Sequence, residues 1–110
     1  MEHDDVPQVL STDVPKDAYL LDVREDDEWT AGHAPQATHI RLGDLGQRSG
    51  DLPKDREIYV VCRSGARSQY ASTGLTGAGW KAINVSDGMT GWAVAGLPMV
   101  SESGEEPYIA

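Results

Sequence analysis

The chain contains a single cysteine, Cys62, among 110 residues. One thiol excludes an intramolecular disulfide and cannot build a cysteine-rich zinc site. No apolar run approaches the ~18 residues that a membrane span requires; the longest lie at 58–62 and 93–100. The acidic opening MEHDDVPQ lacks an apolar core segment, so no secretory or organellar signal is expected. Positive charge is also scarce. Nine Lys and Arg stand against 18 Asp and Glu, a net charge of −9, which argues against nucleic acid or an anionic membrane as partner. No period on the order of 20–50 residues repeats, which removes a solenoid.

What is present fits one globular, soluble domain. Hydrophobic residues make up 39% and charged residues 25%, and a chain of this length buries roughly two-thirds of its unfolded surface. Short apolar strands alternate with helix-like stretches, the pattern of an α/β domain around a mostly parallel sheet. Strands are expected at 19–23 (YLLDV), 37–42, 57–62 and 81–85, with a further edge strand at 6–10. Helices are expected after the acidic stretch 25–29, at 43–47, at 66–78 with Ala71, Leu75 and Ala78 on one face, and at 88–95. Gly77 and Gly79 supply the stop for the third of these. The domain spans 1–100, and 101–110 is a polar tail expected to be loosely ordered.

Charge is unevenly placed. Residues 58–86 hold no acid but contain Arg63, Arg67 and Lys81, so this segment carries +3 and the remainder −12. A cationic island in an acidic chain suggests a site for a small anion. At its centre, IYVVCRSGARSQYASTGL reads as a strand, then Cys62, then a short loop entering a helix. Amides of a first helical turn lack intrahelical partners and, with the helix dipole, favour an anion or a thiolate. Gly65 permits the tight curvature that turns successive amides inward. Arg63 and Arg67 add permanent charge, Arg67 as a fork for two oxygens, while Ser64 and Ser68 add hydroxyl donors. All of these lower the cost of carrying Cys62 as the nucleophilic thiolate.

Four segments in order, LLDVRE at 20–25, GHAPQATHI at 32–40, VVCRSGARS at 60–68 and NVSDGMTGWAVAGLP at 84–98, resemble the rhodanese-like family of single-domain sulfurtransferases. The resemblance implies a central, mostly parallel five-stranded sheet flanked by helices, with Cys62 at the floor of the loop. It also implies that Cys62 accepts a sulfane sulfur as a persulfide, with Arg63, Ser64, Gly65, Ala66, Arg67 and Ser68 binding the substrate. Family loop length separates two chemistries. The Cys-x4-Arg spacing of Cys62 to Arg67 matches sulfurtransferases, whereas related phosphatases and arsenate reductases carry one residue more. Gln36, Arg41 and Asp87 depart from the family pattern; the last two bear on the pocket rim.

The resemblance therefore implies a thiosulfate sulfurtransferase using no cofactor and no metal. Its partners are a small anionic sulfur donor and an external thiol, protein acceptor or cyanide, since no second cysteine can resolve the persulfide. The alternative is a sulfur-carrier or regulatory binding module with little turnover. A reducing cytoplasm is the expected setting. Asp22 and Arg24 are read as a supporting ion pair at the strand ends where ligands collect in open α/β sheets. His33 is read as a structural hydrogen-bonding residue, Trp29 and Trp80 as core or rim packing, and Trp92 as a wall of the pocket.

Overall fold

The computed structural model describes residues 5–110. The acidic stretch 1–4, which opens the sequence and the expected domain, lies outside the described residues. The strands are β1 (Gln8–Val9), β2 (Tyr19–Asp22), β3 (Thr38–His39), β4 (Ile58–Val61) and β5 (Ala82–Val85). The helices are α1 (Asp26–Ala31), α2 (Leu45–Arg48), α3 (Ala66–Gly77) and α4 (Gly88–Val94), with single 3₁₀ turns before and after α2. The sheet order is β1-β5-β4-β2-β3, and every pairing is parallel.

Strand chemistry explains the layers. In β4, Ile58 and Val60 face one side while Tyr59 and Val61 face the other, the period of two expected of a strand covered on both faces. One face packs Leu21, Val60, Leu45, Ala71 and Leu75 beneath α2 and α3. The opposite face packs Leu20, Val61, Val85, Met89 and Trp92 beneath α4. Helix α3 stops through backbone chemistry: Gly79 has φ +102°, and the amides of Gly79 and Trp80 return to the carbonyls of Thr76 and Leu75. Its inner face carries Ser68, Ala71, Ser72 and Leu75, while Ala78, expected inside, is exposed at the helix end.

Three other expectations are corrected. Strand β3 is only two residues long, because the chain beyond Ile40 turns into the 3₁₀ segment Leu42–Asp44. The tail is not loose. His33 and Val100 form an antiparallel bridge, the Glu102 and Tyr108 amides donate to Thr30 and Ala31, and Ile109 packs on the α4 layer. Polar composition suggests loose order, but the backbone of the tail finds hydrogen bonds along the α1 segment. Lys81 precedes β5, whereas Cys62 follows β4; in a parallel sheet these are opposite ends, so the cationic island separates in space.

Candidate active site

Cys62 follows the central strand β4, at the carboxyl edge of the sheet. The chain steps from β3 back across β2 to β4, so the strand order reverses between β2 and β4, the place where open α/β sheets offer a crevice. The loop after β2 delivers Arg24 to this edge and the loop after β4 delivers Cys62.

The Cys62 sulfur is buried, and its residue is 1% exposed. The Gly65 amide donates to Sγ at 3.1 Å, and Ser68 Oγ lies 3.3 Å from it. Burial pushes the thiol pKa up, but hydrogen bonds from the Ser68 side chain and from the Ser68, Gly65 and Ser64 amides outweigh it. The net direction is downward, toward the thiolate. Ser68 Oγ also lies 3.2 Å from the Gly65 carbonyl, which accepts the Gln69 amide and the Asn84 amide group as well.

Two glycines make the cradle possible. Gly65 has φ +108°, and a Cβ there would overlap the Ser86 carbonyl. Gly88 has φ +60°, and a Cβ there would overlap the carbonyls of Cys62 and Arg63. Those two carbonyls accept the Met89 and Thr90 amides at 2.8 and 3.0 Å. Because N–H and C=O of a trans peptide point oppositely, fastening the Arg63 carbonyl to α4 turns the Ser64 amide the other way, toward the sulfur.

Charges around the loop are largely paired. Arg67 places both terminal nitrogens on the Glu28 carboxylate, at 2.8 and 2.9 Å. This fork holds Glu28 well below its ordinary range, at about 2, and raises Arg67. Glu28 Oε1 also accepts the Glu25 amide at the start of α1. Arg24 and Asp22 are both fully buried, joined by bonds of 2.8–3.1 Å, and Arg24 also reaches the Gly32 carbonyl at 2.7 Å. Arg63, Ser64 and Ala66 are exposed at the mouth, and Arg63 Nε donates to the Ala110 carbonyl at 3.0 Å.

The remaining sequence-selected residues take quieter places. Trp92 is in the core, donating to the Pro98 carbonyl, rather than walling a pocket; it is the backbone of its segment that touches the loop. His33 bonds Ala34 and Glu102 through its two ring nitrogens, and Trp29 stacks on both His33 and His39. Trp80 is half-buried, donates to the Leu52 carbonyl and lies under Lys54. Asp87 accepts from the Ser11 amide and hydroxyl, and Arg41 pairs with Asp44, so both departures act as local ties. Glu28, Asn84 and Gly88 were not selected from sequence. Glu28 read as first-turn acid for α1, and no local pattern reveals a partner 39 residues away.

A family model for the rhodanese-like domain matches residues 4–95. The chain belongs to the rhodanese-like family. Among the relatives of this rhodanese-like domain is the candidate sulfurtransferase YtwF of Bacillus subtilis, 46% identical over 77 residues, covering 70% of this chain and 75% of YtwF. A sulfurtransferase of Allochromatium vinosum is 36% identical over 90 residues, covering 81% of this chain and 84% of the relative. A rhodanese-like domain protein from Staphylococcus aureus superposes with a TM-score of 0.73 at 27% identity, covering 79% and 91% of the two chains. Among the described residues no helix is long and apolar enough to cross a membrane.

Proposed function

We propose that this rhodanese-like domain is a sulfurtransferase that carries a sulfane sulfur as a persulfide on Cys62. The reading rests chiefly on the convergence of the Gly65 amide and the Ser68 hydroxyl on a buried sulfur whose pKa is lowered. The Cys62 thiolate attacks the outer sulfur of a donor such as thiosulfate. A new S–S bond forms, the donor S–S bond breaks, and its electron pair leaves with sulfite. The amides of Ser64, Gly65 and Ser68 then hold the negative charge on the enzyme persulfide. Ser64 and Ala66 border the mouth through which the donor enters, and Arg63 draws anions toward it. Asp22 and Arg24 support the loop from beneath without touching the substrate.

An external thiol, a protein acceptor or cyanide removes the sulfur, since Cys62 is the one cysteine in the chain. The kinetics should therefore be ping-pong. A reducing compartment suits an unpaired nucleophilic thiol. Cys62→Ser should fold like the parent and lose turnover with thiosulfate and cyanide to the uncatalysed background. Transfer retained in that variant, measured as thiocyanate formed, would overturn the reading. Efficient single loading of Cys62 with negligible turnover would favour the carrier alternative.

A further inference from the structure

The loop arginine that should greet a dianionic donor is already occupied. Both terminal nitrogens of Arg67 are spent on Glu28, whose side chain is only 12% exposed and is itself anchored by the Glu25 amide. The charge of Arg24 is paired with Asp22 through Nε and Nη2, leaving the buried Nη1 without a partner, and Lys81 lies at the opposite end of the sheet. Arg63 donates to the Ala110 oxygen and is exposed at the rim, where solvent screens it. The charges fixed against the loop therefore cancel, and the whole chain carries −9. Amide dipoles are left to stabilise the sulfur, and they suit one negative charge far better than two.

We propose that Glu28 is a specificity-determining positioning residue: by holding Arg67 in a bidentate pair, it withdraws the loop's cation from the donor and selects singly charged organic sulfane donors over thiosulfate. The inference rests on the sulfur-transfer reading of Cys62. An alkyl thiosulfonate such as methanethiosulfonate isolates the effect, because it replaces one charged oxygen of thiosulfate by a methyl group and presents the same sulfane sulfur. The Cys62 thiolate bonds to that sulfur, the bond to the sulfonyl sulfur breaks, and the electron pair leaves with methanesulfinate. The enzyme persulfide anion that results is identical for both donors, and no net proton is taken up or released.

The test is the ratio of kcat/KM for thiosulfate to kcat/KM for methanethiosulfonate, both measured with cyanide. Taking the ratio within one preparation cancels any inactive fraction. The parent should favour methanethiosulfonate. Glu28→Gln frees the Arg67 fork and should raise the ratio by about tenfold, the effect of one unit charge a few ångströms from a second charge in a partly solvated site. The double variant Glu28→Gln with Arg67→Gln removes the pair without changing net charge and should return the ratio to the parent's value. A Glu28→Gln ratio that is unchanged or lower would overturn the inference. So would a double-variant ratio well below the parent's, because it would mean that Arg67 already binds thiosulfate. Both of those results leave sulfur transfer standing, whereas a folded protein that accepts sulfur from neither donor overturns both readings.

Discussion

At Cys62, burial and hydrogen bonding act in opposite directions on one proton. Burial alone would hold the thiol neutral and inert, and the donors from Gly65, Ser64 and Ser68 reverse that outcome. Ser68 is the member that can be removed without altering the backbone. It is fully buried, and its one hydroxyl proton lies within reach of both the sulfur and the Gly65 carbonyl. Ser68→Ala should therefore raise the thiol pKa and move the acid limb of the kcat/KM profile to higher pH. The sign follows from charge: a lost donor disfavours the thiolate, so more alkaline solution is needed to form it. The check is the pH dependence of thiocyanate formation beside alkylation of Cys62 across the same range. An acid limb that stays in place, or moves to lower pH, would show that the amides suffice alone.

Among the elements, α4 does more for the loop than its sequence suggests. Its first turn fastens the Cys62 and Arg63 carbonyls and so sets the direction of the Ser64 amide. Gly88 permits that approach. Gly88→Ala combines a positive φ with overlap against two carbonyls, and should cost at least about 2 kcal/mol. Gly43→Ala, where an added methyl meets open space, should stay within about 0.5 kcal/mol of the parent. Urea titration of the two variants checks the contrast, and equal losses would contradict it.

Legibility from sequence follows the same line. The Cys62 loop and α3 are readable because strand, glycine, serines and helix are contiguous. The five-stranded parallel sheet was borne out as well. The Glu28–Arg67 fork, the Asn84 bond to Gly65 and the α4 clamp join residues far apart in the chain, so no local pattern announces them. Strand β3 was expected to run longer, since an apolar run does not mark where an edge strand turns away.

Over the whole molecule, the parallel sheet gathers at its carboxyl edge what the sequence spreads from Asp22 to Gly88. The same topology carries Lys81 away, so a charge island in the sequence is not one in space. The tail continues along α1, the helix that supplies Glu28, and Ala110 accepts from Arg63 at the mouth of the loop. The proposed sulfur carriage on Cys62 ties these features together, and intact-protein mass spectrometry tests it most directly. Reduced protein incubated briefly with methanethiosulfonate should gain the mass of one sulfur atom, localised to Cys62 by peptide mapping and removed again by cyanide. A folded, reduced protein whose mass stays unchanged with both methanethiosulfonate and thiosulfate would contradict the persulfide.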